Sequence, residues 1–174
     1  MLKGIDIREV NSKNAGTSNV FITLGFKYAV IVGLFDIFKG ALPVVILRFM
    51  YPDNDIIWVV GGVSAIIGHV YPIFQKFRGG KGTATFGGLI FGLTPLYGLI
   101  LMILFFIIMV KSDFVTIPTI LAVIIFPISM FFFDFHLISI GLVSLYSILN
   151  IYKHWPNIIR IKNKTEVGLK AVLK

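Results

Sequence analysis

Three short polar stretches carry side chains whose types and spacing suit chemistry on an anion. The first is Asn11-Ser12-Lys13-Asn14-Ala15-Gly16-Thr17-Ser18-Asn19, rich in small donors and turn formers just ahead of an apolar run. Its Ser, Asn and Thr side chains suit capping of the next helix, leaving backbone N–H groups to meet an anion. An interfacial loop with a good cap reads the same way. The second runs from Gly68-His69 through Tyr71-Pro72 to Gly79-Gly80-Lys81-Gly82-Thr83. Three glycines around a lysine let several N–H groups point inward as a nest for phosphate, and the Thr83 run adds a helix N-terminus with its positive dipole end. It is not a nucleotide P-loop, because Gly82 follows Lys81 where Ser or Thr is required and Gln75 takes the first glycine's place. A flexible basic membrane loop is the plain alternative. The third is Lys153-His154-Trp155-Pro156-Asn157-Ile158-Ile159-Arg160, running on to Glu166. On a helix His154, Asn157 and Arg160 share a face. Pro156 predicts a kink or a new helix start, and a juxtamembrane anchor with interfacial Trp155 is the alternative.

The elements that must position these stretches are apolar. Of the 174 residues 57% are hydrophobic and 14% charged, against roughly 25% charged in a soluble domain. Between Gly82 and Tyr152 the only charged residues are Lys111, Asp113 and Asp134. The formal net charge of +8 therefore sits in short polar segments flanking runs long enough to cross a bilayer, for which about 20 residues suffice. Nucleic-acid proteins spread basic residues over a water-facing surface instead, so nucleic acid is not an expected partner. With no cysteine, disulfides, thiolate catalysis and thiolate-held metals are excluded.

The apolar runs fall at Tyr28–Met50, Ile56–Phe74, Thr83–Val110, Phe114–Phe133 and Leu137–Tyr152. The third contains Gly87, Gly88, Gly92, Pro95 and Gly98, which invite a break. If it crosses twice, fourteen of the sixteen basic residues, Lys3 and Lys174 among them, collect on one side, leaving Arg48 alone on the other and Lys39 within a span. The positive-inside rule makes that side cytoplasmic. The expected fold is all-α, a polytopic integral membrane bundle of about six transmembrane helices, some short or broken. Residues 1–174 form a single membrane domain, with a cytoplasmic segment at 1–27, a phosphate loop at 75–82 and a cytoplasmic tail at 153–174. The first 27 residues lack an apolar core, so no secretory signal peptide is expected. Asp36 and Lys39 lie inside the first span, where ionisable groups suggest function, although their spacing also lets them pair with each other.

In order and content the three stretches resemble the motifs of the bacterial acyl-phosphate:glycerol-3-phosphate acyltransferases, the PlsY family. The first motif is seen in Ser12, Asn14, Gly16 and Asn19; the second in Gly68, His69, Tyr71-Pro72, Phe74, Phe77, Gly79-Gly80-Lys81-Gly82 and Ala84-Thr85. The third is seen in His154, Asn157-Ile158, Arg160 and Thr165-Glu166, and an Asp-x-x-Lys-Gly element in Asp36, Lys39 and Gly40. The resemblance implies acyl transfer from acyl phosphate to the 1-hydroxyl of glycerol 3-phosphate, giving lysophosphatidic acid in phospholipid synthesis. It implies a multi-pass protein of the bacterial plasma membrane, with its site facing the cytoplasm and the lipid bilayer as its surroundings. His154, Asn157, Ser12 and Lys81 are the implied catalytic residues. Asn14, Gly16, Asn19, Lys39, His69, Gly79, Gly80, Gly82, Arg160 and Glu166 are the implied substrate-binding residues. No cofactor and no metal is expected, since lysines and backbone supply the positive potential.

This sequence also departs from the pattern. The family ordinarily has one more transmembrane helix before the first motif, whereas Met1 lies eleven residues before Ser12. The motif's arginine falls on Ile22 and its flanking glycines on Asn11 and Lys13. An arginine and a serine-rich stretch later in the family become Asp113, Thr116, Pro118 and Thr119, and a glycine near the end of the third motif becomes Lys164. Loss of an arginine and reversal of charge at Asp113 weaken phosphate attraction. They motivate a second expectation, a catalytically impaired relative that binds acyl phosphate or a partner enzyme. An anion transporter is a third, weaker fit, because the polar stretches gather at one face.

Overall fold

Glycine, proline and the polar stretches decide where each helix stops. The computed structural model describes residues 4–172; Lys3 and Lys174, two of the basic residues assigned to the cytoplasmic face, lie outside them. The order is α1 Thr17–Leu24, α2 Phe26–Met50, α3 Asp55–Val70, a 3-10 turn Ile73–Gln75, α4 Thr83–Leu93, α5 Pro95–Ser112, α6 Thr116–Phe132, α7 Leu137–Lys162 and α8 Leu169–Val172. No strand occurs among the described residues. Gly25, at φ 91, separates α1 from α2. Asn54 caps α3 by accepting from the Ile57 N–H at 3.2 Å, and His136 caps α7 through the Ile138 N–H.

The long third run does break, at Thr94, and Pro95 begins α5 at a position where its missing N–H costs nothing. Phe26–Met50, Asp55–Gln75 and Pro95–Ser112 are long and apolar enough to cross a membrane, and Thr83–Leu93 and Thr116–Phe132 are shorter apolar helices. Of the two outcomes expected at Pro156, a kink or a helix start, the start does not occur. Instead α7 runs through it to Lys162, and the bond Pro156 cannot donate falls beside exposed Tyr152, where water can replace it. The side-chain cap expected from the first stretch is also absent, since Gly16 caps α1 by backbone alone.

Helix α4 sits at the centre. Seven of its eleven residues are buried, packed on α2 through small side chains. Gly40 lies against Thr85, Gly88 against Ile37 and Ala41, and Gly92 against Val44, so any Cβ added there would strike the facing helix. Such small-residue contacts let helices approach closely where water does not drive association. The residue numbers rise together along this seam, so α2 and α4 run parallel. Arg48, near the end of α2, closes the seam by donating to the Leu93 carbonyl at 3.1 Å. The core continues through Val59 and Ile66 of α3, Phe126 of α6 and Tyr146 of α7. In contrast α5 buries only Gly98, and Phe35, Phe38, Leu96 and Phe106 are among many exposed apolar side chains, a surface suited to lipid.

Candidate active site

The site is built around the loop between α3 and α4. After Pro72 the chain makes one 3-10 turn, passes through left-handed Lys76 and Phe77, and reaches Gly79–Gly82. The Gly80 N–H donates to the His69 carbonyl at 3.2 Å. Side chains are excluded here by proximity. A Cβ on Gly79 would strike the His69 carbonyl and Pro72, and one on Gly80 would strike the His69 ring. Gly82 has φ 84 and leads into α4 without a side-chain cap, so the first-turn N–H groups of that helix receive none. From α7, the Lys81 carbonyl accepts from Asn150 Nδ2 at 3.0 Å and from the Tyr146 hydroxyl at 3.3 Å, which fixes the loop from behind.

On one side of this loop stands a cluster drawn from the second and third stretches. The Lys81 ammonium donates to Asn157 Oδ1. Asn157 Nδ2 donates to Glu166 Oε1 at 2.6 Å, and Arg160 Nε donates to Glu166 Oε2 at 2.5 Å. Glu166 thus orients the Asn157 amide so that its oxygen faces Lys81. Burial pushes the Lys81 ammonium down to about 8, with the Glu166 charge acting against it and Arg160 and Lys153 with it. His154 Nε2 lies 3.3 Å from the Thr83 hydroxyl, while its buried Nδ1 has no partner. His154 lies beyond the apolar stretch 137–152, and burial, aided by the Lys81 charge, pushes it down to about 3, so it is a neutral ring.

On the other side stands a cluster from α1, α2 and α3. Lys39 Nζ lies 2.5 Å from Asp36 Oδ1 and 2.6 Å from His69 Nδ1, and Thr17 donates to Asp36 Oδ2 at 3.4 Å. His69 Nδ1 also lies 3.4 Å from Asp36 Oδ1, and the Nε2 side of its ring faces Gly80. A cavity of about 230 Å³ opens here, lined by Asp36, Lys39, His69, Gly79, Ala15 and Gln75. The Lys39 side chain is 42% exposed, while those of Asp36 and His69 are nearly buried. The expected Asp36–Lys39 pair therefore exists and is also part of a larger group.

The first stretch folds over the loop. Buried Asn19 donates to the carbonyls of Ile7, Val10 and Asn14 at 2.7, 3.1 and 3.0 Å, which ties the segment into a compact turn. Ala15 and Gly16 lie over Gly80. Asn11 and Lys13 have φ 49 and 55, so the backbone is left-handed at the two positions where the resemblance places glycines. For Lys13 that conformation costs about 1 kcal/mol. Ser12 is exposed, and no hydrogen bond ties Ser12 or the Asn14 side chain to either cluster among the described residues.

Lys81, His154, Asn157, Arg160 and Glu166 thus converge on one side of the loop, and Lys39, His69, Gly79, Gly80 and Gly16 on the other. Two participants escape a reading of the sequence, Tyr146 and Asn150, while Thr83 is legible there only as the start of the following helix. Asn150 carried a signal, a fully buried amide in an apolar run, which in a membrane helix marks a site or a packing partner. The carboxylate of Asp113 is engaged by the C-terminal segment, accepting from the Lys170 N–H at 2.8 Å.

The sequence and the fold both have counterparts among known proteins. The profile of the family described as glycerol-3-phosphate acyltransferase matches residues 1–164. The glycerol-3-phosphate acyltransferase of Bacillus subtilis is 42% identical over 171 residues, 98% of this chain and 86% of that protein. The enzyme of the same description from Acholeplasma laidlawii is 35% identical, covering 99% and 85%. Among solved structures, PlsY, an integral membrane glycerol 3-phosphate acyltransferase in its glycerol 3-phosphate form, superposes with a TM-score of 0.90 at 32% identity, covering 97% of this chain and 84% of that one. Its lysophosphatidic acid form gives 0.86 at 31% identity, covering 99% and 87%.

Proposed function

Because this chain belongs to the glycerol-3-phosphate acyltransferase family and transfers an acyl group to glycerol 3-phosphate in phospholipid synthesis, we propose that its donor is an acyl phosphate received by the Gly79–Gly82 loop at the cytoplasmic face of a bacterial membrane. The observation that carries this reading is the Lys81 ammonium, held by Asn157 on a glycine loop that opens onto the uncapped start of α4. An ammonium and converging N–H groups suit the phosphate of a mixed anhydride.

In such a reaction the glycerol 1-hydroxyl oxygen bonds to the acyl carbon, the bond from that carbon to the phosphate oxygen breaks, and inorganic phosphate leaves. The donor is already activated, so positioning two anions and stabilising charge contribute more than a strong base. Lys81 on one side of the loop and Lys39 on the other supply the positive potential, with Ser12, Asn14, Arg160 and the His69-supported Gly80 turn completing the polar surroundings. His154 orients the hydroxyl. A ring held near pKa 3 is a weak base, so the departing phosphate oxygen takes the hydroxyl proton. The cytoplasmic placement is supported by the basic residues at 75–82 and 153–174.

Purified protein in lipid, given acyl phosphate and glycerol 3-phosphate, is expected to release phosphate and form lysophosphatidic acid. His154→Ala is expected to abolish this. Turnover no higher than that of protein-free lipid would overturn the reading.

A further inference from the structure

Asp113 ends α5 in a left-handed turn at φ 70, where Asp is among the residues that adopt that conformation at least cost. It meets the far end of the chain. Its carbonyl accepts from the Leu169 N–H at 2.8 Å and its Oδ1 from the Lys170 N–H at 2.8 Å. Gly168 is buried against the carboxylate so closely that a Cβ would strike it. Between this contact and α7 the chain has one short stretch. It reverses at left-handed Lys164, and the Thr165 and Glu166 N–H groups both reach the Arg160 carbonyl. Glu166 is therefore pinned from both ends, two residues before Gly168, with its carboxylate on Asn157 and Arg160.

We propose that Asp113 is a positioning residue: it staples residues 168–170 so that Glu166 holds the Asn157 amide with its oxygen toward Lys81. The inference rests on the reading of the Lys81–Asn157 cluster as the place of acyl transfer. The carboxylate at residue 113 is taken up by the protein's own backbone: it accepts from the Lys170 N–H, while the Leu169 N–H goes to the Asp113 carbonyl.

The chain lacks cysteine, so Val167→Cys gives a single exposed attachment point for a nitroxide, read in full-length protein in lipid by spin-label mobility and by acyl transfer. Asp113→Gly removes the carboxylate without backbone strain, and Asp113→Asn keeps an acceptor oxygen. Expected for Asp113→Gly are a mobile label and a fall in kcat/KM of about tenfold or more, as for displaced positioning groups. Asp113→Asn is expected to restore both. In a Glu166→Ala background, Asp113→Gly is expected to add no further loss, because both act through one contact. An immobile label in Asp113→Gly, full activity with a mobile label, or losses that multiply in the double variant would each overturn the proposal. Absence of turnover by the labelled parent overturns the site reading and the positioning role with it, and label mobility then reports the staple alone.

Discussion

The Asn157 side chain lies between opposite charges, its carbonyl oxygen receiving the Lys81 ammonium and its amide nitrogen donating to the Glu166 carboxylate. A neutral amide can accept from a cation through its oxygen and donate to an anion through its nitrogen at once. Asn157→Ala is expected to lower kcat by about 10²-fold, the scale of losing one preorganised polar group. Asn157→Asp keeps the contact to Lys81 but sets two carboxylates side by side, and is expected to be comparably impaired. Steady-state kinetics of both variants check this.

Lys81 also sets a pH limit. Its ammonium is held down to about 8 by burial, so the charged form disappears as pH rises through that value. Activity is expected to fall above about pH 8 with a one-proton slope. Glu166 opposes the burial effect, so Glu166→Gln is expected to shift the limb to lower pH. Stability carries the opposite sign. Between about 8 and the ordinary lysine value of 10.5 the unfolded chain binds the proton that the folded one has lost, so the Lys81 contribution to stability rises with pH in that window. A pH–rate profile beside a pH series of unfolding measurements separates the two.

The Gly80 turn has no room for a methyl group, because the His69 ring and the Ala15 carbonyl stand where it would go. Gly80→Ala is expected to displace the loop from His69 and lower activity by about 10²-fold, as for an ångström-scale misplacement. The global cost is expected to be about 1–3 kcal/mol, the usual scale of overpacking. A loss of activity no larger than the loss of folded protein, followed by activity assay and thermal unfolding together, would contradict this.

Behind the loop, Asn150 and Tyr146 share the Lys81 carbonyl, and Asn150 also donates to the Tyr146 hydroxyl at 2.8 Å. Tyr146→Phe leaves the shorter bond to the Lys81 carbonyl intact and is expected to cost about 1 kcal/mol in stability. Asn150→Ala removes both Asn150 bonds and is expected to reduce kcat more than Tyr146→Phe does. Equal effects would place the anchor elsewhere.

Much of the candidate site was legible because charge stands out against an apolar background. His154, Asn157 and Lys81 lie in the few polar segments of a chain that is otherwise a series of helices, and their ordered motifs brought Glu166 and Arg160 with them. The break at Thr94 was legible in the Gly and Pro that precede and follow it. Asn150 and Tyr146 were hidden because each counts as one more residue of an apolar run, and their shared target is a backbone carbonyl far away in sequence. Asp113 was read as lost attraction for phosphate, whereas its partners are backbone N–H groups returned to it by a chain reversal at Lys164. No local pattern encodes that meeting. At Pro156 the helix-start half of the reading fails for the opposite reason, since a strong local signal is overridden where a long helix leaves the apolar layer and its unpaired carbonyl can be hydrated.

The parallel seam between α2 and α4 also fixes a depth. Thr85, three residues after the loop, is level with Gly40, which lies fourteen residues into α2. At 1.5 Å per residue that is about 20 Å below the start of α2. The polar floor is thus sunk into the bundle and walled by α2 and α3, and the eleven-residue α4 needs only to cover the remaining distance. On the proposed reading, a donor headgroup seated on that floor sets its acyl chain beside the apolar faces of the surrounding helices, while glycerol 3-phosphate descends from the water to meet it. Bringing two immiscible reactants to one height is then the geometric service that the shortened helix would perform.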